Sequence, residues 1–389
     1  MTTTLRRQAL FGLLGLLLLA GVIRLFEYTT TPEPAQNRDE LAWAWTGQSL
    51  IETGTPSSWS YLPAYPSVGV QPTFDGTYMP YVHDWFDSPP LFALLVGATA
   101  MAAGETTPQS VTPGVVRILP ILLSLVTLCL LFFLTRAVVG DRWAWLAAVL
   151  FAFSPWMVET SHLVEAESLL APMLLGALLL MVDGRERTRP QLIGLLAICL
   201  LAPLVKLVGV AIGISVAALL LLQRRWKPAV LAATATVSGP LLYVVYGMAI
   251  NGSLFWAVMR AQANRHGTFP VAAWEFLGSL RASLGDRVPL HDPFWYVGLL
   301  AVAAVALFWW DRRADLIVVP VAVYVAVMAA TGPDRTGELV YDAGWYRITV
   351  YPLLFAAVAV IVSRLWETRR LILRNSPPVP AAWSERDRS

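Results

Sequence analysis

The sequence predicts an all-α polytopic integral membrane protein with about ten transmembrane helices, because apolar runs long enough to cross a bilayer recur along the chain. Of its 389 residues, 57% are apolar and only 14% are charged. That composition is too apolar for a soluble domain of this length. The net charge of +2 provides no strongly basic surface, so we expect no nucleic-acid partner.

The apolar runs define the candidate spans. In the first span, Arg24 and bulky residues follow the apolar stretch where a signal peptide would have a small-residue cleavage site, so we interpret the span as a retained helix. The fifth and sixth spans are short and meet at Lys206, and one broken helix is the alternative. The candidate spans are 8–26, 115–135, 143–158, 166–182, 191–204, 207–222, 229–250, 293–310, 314–331 and 345–363.

Two large loops separate some of these spans. Residues 27–114, rich in Pro, Trp, Tyr and Asp, form the first loop, and residues 251–292 form the second. We expect short amphipathic surface helices in the first loop. Residues 1–363 are therefore predicted to form one transmembrane domain. Residues 364–389, which are basic and then Pro-rich, are predicted to be a disordered tail.

The charges in the loops predict the orientation of the chain, because cytoplasmic loops of membrane proteins are enriched in Lys and Arg. With the N-terminus in the cytoplasm, 18 of the 28 Lys and Arg residues lie on the cytoplasmic side and 18 of the 26 acidic residues on the other. Both large loops then face outward and the tail is cytoplasmic. We predict a multi-pass protein of the cell membrane with its site on the extracytoplasmic side.

The acidic pair Asp39-Glu40 opens a segment of the first loop with helical spacing of its apolar residues. We predict a helix that lies on the membrane with Trp43 and Trp45 as interfacial anchors. Carboxylates favour a helix N-terminus, so capping alone is one interpretation of the pair. The other is chemistry at the bilayer surface, because a carboxylate can take the proton of an attacking hydroxyl.

Cations that could neutralise a phosphate leaving group are also present. Lys206 lies in an otherwise unbroken apolar stretch. A lone Lys at the membrane edge is energetically costly and indicates a functional site, with snorkelling to the headgroups as the alternative. Tyr346 and Arg347 open the last span, where an interfacial anchor is the competing interpretation.

Two further clusters combine His with acidic residues. His83-Asp84 and then Asp87 lie in the first loop, whereas His162 precedes the fourth candidate span and Glu167 lies at its start. Neither cluster has a recognised metal-ligand spacing, so we assign no metal ligands and expect no cofactor requirement. A divalent metal remains the alternative.

These patches occur in the order and at the spacing typical of one group of proteins. The chain resembles the GT-C glycosyltransferases related to lipid A aminoarabinose transferases and protein O-mannosyltransferases. Their acidic pair is matched by Asp39-Glu40 and their acid-x-Pro-Pro-Leu motif by residues 87–91. Their Ser-Arg-x-Ala-x-x-Asp motif corresponds to residues 161–167, with His162, Val164 and Glu167 in place of its Arg, Ala and Asp. Their lone Lys resembles Lys206, and Tyr346-Arg347 reverses their Arg-Tyr pair.

The resemblance implies that residues 1–363 are a catalytic domain with the GT-C fold. It implies inverting transfer of a sugar from a polyprenyl-phosphate donor to a hydroxyl of a lipid, glycan or protein acceptor, in contact with membrane lipids. Asp39 would be the general base and Asp87 the second acid. The residues that would bind substrate are Glu40, His83, Asp84, His162, Glu167, Lys206, Tyr346 and Arg347.

A polytopic lipid or sugar transporter or flippase without transferase activity is the alternative function. Such a protein would show two related halves with charges near the membrane midplane. Here the charges cluster on one face and no internal repeat is visible. A non-catalytic scaffold would give Asp39 and Lys206 no role.

Overall fold

Helices form nearly all of the regular structure in the computed structural model, as the apolar composition predicts. The structure describes residues 3–33, 38–66, 73–74, 77–182, 188–264, 294–331 and 346–375. Its helices are α1 (Thr3–Leu25), α2 (Asp39–Thr53), α3 (Leu91–Ala102), α4 (Pro113–Val116), α5 (Ile118–Val139), α6 (Asp141–Phe153), α7 (Pro155–Thr160), α8 (Glu167–Leu179), α9 (Arg189–Val205), α10 (Val210–Leu222), α11 (Trp226–Asn264), α12 (Phe294–Phe308), α13 (Asp315–Thr331) and α14 (Tyr351–Asn375), with 3-10 turns at Pro108–Ser110, Leu207–Gly209 and Arg347–Thr349.

The helices identify a membrane protein. Among the described residues, the segments Pro113–Val139, Trp226–Asn264 and Tyr351–Leu371 are long and apolar enough to cross a bilayer, and shorter apolar helices of 10–17 residues accompany them. Each predicted span overlaps a helix in this part of the chain. The number of membrane crossings stays a prediction.

Two small antiparallel sheets occur in the first large loop. Strand β1 (Ser57–Trp59) pairs with β4 (Tyr81–His83), with Ser58 opposite Val82. Strand β2 (Thr73–Phe74) pairs with β3 (Thr77–Tyr78). The sequence analysis predicted only helices in this loop, because strands of two or three residues are too short to show a periodic pattern.

Helix α2 is buried in the protein along most of its length, from Glu40 to Gln48. Trp43 is 4% exposed and meets the rings of Trp85 and Phe92 edge-on, at centroid distances of 5.9 and 5.2 Å. The prediction that α2 lies on the membrane surface with tryptophan anchors is therefore wrong. Helix α3, too short to cross a bilayer, covers the apolar face of α2 instead.

The backbones of α2 and α3 touch where Gly47 crosses Gly97. A Cβ on Gly47 would lie 1.9 Å from the Ala93 carbonyl oxygen, and one on Gly97 would lie 2.3 Å from the carbonyl carbon of Gly47. Only glycine fits at such a crossing, since backbone atoms cannot move aside as a flexible side chain can. The contact fixes the position of α2 relative to the segment that carries Asp87.

Helix α14 continues beyond the predicted domain end at residue 363, as far as Asn375. Arg364 forms an ion pair of 2.7 Å with Asp311, and the Arg142 guanidinium lies 4.4 Å from the centroid of the Trp366 ring. Residues 364–375, predicted to be disordered, are therefore helical. Residues 376–389 and most of the second large loop lie outside the described residues.

Helix α11 also differs from its predicted extent. Its helical conformation is interrupted at Asn251, with φ −157° and ψ 86°, and then resumes to Asn264. The start of the predicted 251–292 loop is thus a second helical segment. At Lys206 the chain is extended between α9 and the following 3-10 turn, so the two short candidate spans form separate helices.

The α2–α3 crossing gives a stability prediction. Gly47→Ala should lower the free energy of unfolding by about 1–3 kcal/mol or more, because the new methyl group has no space and the helices must separate. Thermal unfolding of the purified protein in detergent measures the change. Gly15→Ala in α1 is the matched control, since a Cβ there meets nothing within 4 Å. Equal melting temperatures for both variants would contradict the close crossing.

Candidate active site

The two candidate catalytic acids are placed by consecutive residues of one segment. The indole N–H of Trp59 donates to the carbonyl oxygen of Arg38, 3.1 Å away, immediately before Asp39. The hydroxyl of Ser60 donates to Asp87 Oδ2 at 2.6 Å. Asp39 is exposed at the start of α2. The β1 strand therefore brings both acids to the same region of the first loop.

Both carboxylate oxygens of Asp87 accept hydrogen bonds. The second donor is the Tyr65 hydroxyl, 2.8 Å from Oδ1, which in turn accepts the N–H of Phe86 at 2.7 Å. Burial and the charge of Asp87 raise the pKa of Tyr65, so the phenol remains a donor. The two donors fix the orientation of the Asp87 carboxylate.

Asp84 connects the first loop to the break in α11. It adopts a left-handed backbone conformation with φ 53°. The Asn251 side-chain amide donates to Asp84 Oδ2 at 3.0 Å, while Asn251 Oδ1 accepts the N–H of Leu254 at 3.2 Å. Asn251 thereby caps the second helical segment of α11 and holds Asp84, predicted to bind substrate, against it.

Glu40 forms a fully buried ion pair. Arg117 Nε lies 2.8 Å from Glu40 Oε2 and Nη2 lies 3.1 Å from Oε1, while Nη1 donates to the carbonyl oxygen of Tyr28 at 2.9 Å. The side chains are 1% and 0% exposed. Burial raises the pKa of Glu40, and the guanidinium of Arg117 opposes that rise. Its geometry gives Glu40 a structural role in place of the predicted substrate contact.

Lys206 lies at the centre of an acidic and aromatic cluster. Its Nζ is 2.8 Å from Glu167 Oε1, 4.0 Å from Glu165 Oε2, and 4.5 Å from the centroid of the Tyr346 ring. The C-terminus of α9, the N-terminus of α8 and the turn before α14 meet here. The structure therefore brings together three of the predicted substrate-binding residues.

Arg347 follows Tyr346 in the 3-10 turn and extends the cationic region. It is 8% exposed, and its guanidinium carbon lies 5.1 Å from the centroid of the Trp295 ring. The Tyr324 hydroxyl donates to the Tyr346 carbonyl oxygen at 2.8 Å and so holds the turn against α13. Lys206 and Arg347 thus place two cations of the described residues at this junction of helices.

His162 connects separate parts of the chain. Its Nδ1 lies 2.8 Å from the Thr31 carbonyl oxygen and its Nε2 lies 2.8 Å from the Arg24 carbonyl oxygen. Burial lowers the pKa of His162. Both ring nitrogens face backbone carbonyl oxygens, and a neutral imidazole donates to one of the two. These contacts indicate that His162 braces the end of α1 and the residues that follow it. His83, in contrast, is exposed on β4, with Nδ1 3.1 Å from Ser57 Oγ.

A hydrogen bond connects the acidic region to the helices that carry Lys206. The Tyr243 hydroxyl of α11 donates to the carbonyl oxygen of Phe86 at 2.7 Å, next to Asp87. Helix α11 packs along α9, which ends just before Lys206. The acids and the cations therefore belong to one end of the bundle. His162 and Glu40 lie at the same end but in supporting contacts.

Several residues of this region were not assigned by sequence analysis. Ser60 and Tyr65 carry no pattern that distinguishes them from other polar loop residues. Arg117 carried a usable signal, because an Arg at the start of an apolar span needs a partner when it is buried. Within the described ranges, no group of three or more His, Cys, Asp or Glu residues is arranged to hold a metal ion. Independence from cofactors stays a prediction.

Comparison with known proteins places this arrangement in a fold class. ArnT from Cupriavidus metallidurans, in its crystal structure with undecaprenyl phosphate, matches with a TM-score of 0.58 and 16% identity, over 94% of this chain and 62% of that chain. The archaeal oligosaccharyltransferase AglB from Archaeoglobus fulgidus, in complex with an inhibitory peptide and a dolichol-phosphate, matches with a TM-score of 0.52 and 12% identity, over 95% of this chain and 52% of that chain.

The chain therefore has the fold of the GT-C glycosyltransferases, and the resemblance recognised in its motifs is confirmed. More particularly, residues 87–263, from Asp87 into the last turns of α11, match the family described as dolichyl-phosphate-mannose-protein mannosyltransferase. No curated protein sequence matches the chain. The chain spans less than two thirds of the length of either structural relative.

The buried ion pair gives a second stability prediction. Arg117→Met should lower the free energy of unfolding by about 3–5 kcal/mol, because it leaves the Glu40 carboxylate buried without a partner. Glu40→Gln should also destabilise the protein, since the charged guanidinium then stays buried. Chemical denaturation measures both effects.

The double variant Glu40→Gln/Arg117→Met is the control for this pair. It should recover much of the lost stability, because neither remaining group is charged. Additive losses in the double variant would show that the two side chains act independently. Arg136→Met, at a partly exposed ion pair with Asp141, should cost no more than about 1 kcal/mol.

Proposed function

We propose that this protein is a membrane glycosyltransferase that moves a sugar from a polyprenyl-phosphate carrier to a hydroxyl group of a lipid, glycan or protein. The GT-C fold supports this class, as does the match of residues 87–263 to a mannosyltransferase family. The undecaprenyl phosphate and dolichol-phosphate in the two structural relatives support a lipid-phosphate donor.

The proposed site faces the extracytoplasmic side of the membrane. The excess of Lys and Arg in the opposite loops supports this orientation. The ends of α8 and α9 that meet at Lys206, and the start of α14, lie at the same end of the bundle as the first large loop.

One observation carries the proposal: an exposed carboxylate and a pair of cations share one end of the bundle. Asp39 is exposed at the start of α2, whereas Glu40 beside it is closed off by Arg117. Lys206 and Arg347 are positioned where α9 ends and α14 begins. Sugar transfer from a lipid phosphate requires a group that accepts the proton of the acceptor hydroxyl. It also requires a cation that stabilises the negative charge of the departing phosphate.

The mechanism follows from these positions. Asp39 takes the proton of the acceptor hydroxyl as its oxygen attacks the anomeric carbon of the donor. The bond from that carbon to the phosphate oxygen breaks on the opposite face, so a single displacement inverts the anomeric configuration. Lys206 and Arg347 neutralise the departing lipid phosphate. Asp87, fixed in orientation by two hydroxyl donors, orients the acceptor or the sugar beside the base.

The assignment of the base predicts the effect of Asp39→Asn. The amide keeps the size of the side chain at the start of α2, but it cannot act as the proton acceptor. Transfer should fall by about 10²-fold or more, the usual contribution of general-base catalysis. The measurement is turnover with a saturating acceptor, alongside lipid binding, which should stay unchanged.

Glu33→Gln is the matched control, because Glu33 is an exposed acid of the same loop. It should transfer sugar at the wild-type rate. Wild-type turnover by Asp39→Asn would reject Asp39 as the base and direct attention to Asp87 and Glu167.

The donor site predicts weaker lipid binding by Lys206→Met. Loss of one charge-assisted contact to the phosphate should cost about 1.5–3 kcal/mol of affinity for polyprenyl phosphate. The same substitution leaves Glu167 buried without its ion-pair partner and so lowers stability as well. A lower lipid affinity of the purified variant could therefore come from the lost phosphate contact or from the lower stability, so a control variant that keeps its stability is needed.

The double variant Lys206→Met/Glu167→Gln supplies that control. Removal of both charges should restore the melting temperature while lipid affinity stays low. A double variant that recovers full lipid affinity would show that Lys206 serves the fold and does not bind the phosphate.

A further inference from the structure

A cavity of about 460 Å³ opens beside the C-terminal half of α2, at the other end of that helix from Asp39. Its volume is in the range of small-molecule binding sites. One wall comes from α2 and the other from β1 and β4. The lining residues that matter for recognition are Trp45, Gln48, Glu52, Ser57, Tyr81 and His83.

The α2 wall follows from helical periodicity. Trp45, Gln48 and Glu52 recur at intervals of three and four, so they share one face of the helix. Gly47, on a different face, makes the contact with α3. Helix α2 therefore buries one face against α3 and presents another to the cavity.

The wall is held rigid at its inner end. The Trp45 indole donates to the Pro108 carbonyl oxygen at 2.9 Å, and the Gln48 amide donates to the Glu105 carbonyl oxygen at 2.6 Å. Gln48 is 2% exposed, and its Oε1 has no hydrogen-bond partner among the described residues. Because that oxygen is itself buried, Gln48 shapes the wall, and the exposed groups of the cavity are the ones left to contact a ligand.

The strand wall presents an imidazole, a phenol and a hydroxyl on one face. Ser57 and His83 are paired residues of β1 and β4, and the Ser57 hydroxyl lies 3.1 Å from His83 Nδ1. The Tyr81 ring meets that of His83 edge-on at 5.7 Å and lies 5.9 Å from that of Trp45. His83 Nε2 makes no hydrogen bond with the described residues, so it remains available.

The charge of the cavity selects the kind of ligand. Glu52 is exposed and forms no hydrogen bond or ion pair within the described ranges. No Lys or Arg of the described residues lines the cavity. A phosphorylated or carboxylated ligand would meet an uncompensated carboxylate there. A neutral ligand rich in hydroxyl groups would donate to Glu52, form a hydrogen bond with His83 and place a C–H face on the half-buried Tyr81 ring.

We infer that this cavity binds a neutral saccharide, as a subsite for the distal part of an extended glycan acceptor. Glu52 lies thirteen residues after Asp39 on α2, which places it roughly 20 Å along the helix at 1.5 Å per residue. One sugar unit cannot reach both. The acceptor role rests on the proposed transferase function, whereas the saccharide site itself does not.

The test measures binding before transfer. The full-length protein in lipid nanodiscs is applied to an array of neutral, sulfated and amino-bearing oligosaccharides. The best-bound glycan is then fluorescein-labelled and its affinity is measured by fluorescence anisotropy. Neutral oligosaccharides should bind, and Glu52→Ala and His83→Ala should each weaken binding tenfold or more. Both residues are exposed, so neither substitution should impair folding.

Glu33→Ala, an acid of the same loop outside the cavity, should bind as the wild type does. Asp39→Asn should keep glycan binding while losing transfer, so a failure of the catalytic proposal is distinguishable from a failure of the subsite. Wild-type affinity in both Glu52→Ala and His83→Ala would overturn the subsite. So would a preference for sulfated glycans, or binding of acceptor peptides in place of every glycan on the array.

Discussion

The buried ion pair between Glu40 and Arg117 is the contact on which the geometry of the site depends. It joins the first turn of α2 to the start of α5, and the same guanidinium holds the backbone at Tyr28, just after α1. Two points of the first loop are thus held by one planar group that lies more than 70 residues further along the chain. Because Asp39 is the neighbour of Glu40, its position relative to the bundle is set by this pair.

The site end of the bundle is built from such cross-connections between helix ends. Lys206 joins α8, α9 and the turn before α14, and Asn251 joins α11 to the first loop. Each connection uses a polar group at the end of an apolar helix. The apolar length of the helices can therefore contact the membrane. A bundle made this way holds its polar groups in one layer without a large separate domain in the described residues.

Sequence analysis predicted the helical membrane architecture and singled out Glu167, Lys206 and Tyr346, which lie in contact in the structure. Apolar length is a strong signal for helices in a membrane, and an isolated Lys in such a run is too costly to persist without a partner or a ligand. The environment of α2 was not predictable from its own residues. Tryptophans at helical spacing are expected both at a membrane interface and in a protein core, and only the packing of α3 decides between them.

The partner of Arg117 could not be predicted either, because an ion pair between residues 40 and 117 leaves no local pattern in either segment. The opposite case is Asn251, whose side chain caps a helix inside an apolar region where sequence analysis expected a loop. Local patterns report which segments are helical. They do not report which polar groups those helices share.

The ion pair between Lys206 and Glu167 has a consequence for turnover. The Lys206 charge is thus balanced by the Glu167 carboxylate before any donor binds. Under the proposed function, a donor phosphate would compete with Glu167 for the ammonium, and the carboxylate would pair with Lys206 again once the spent carrier lipid has left.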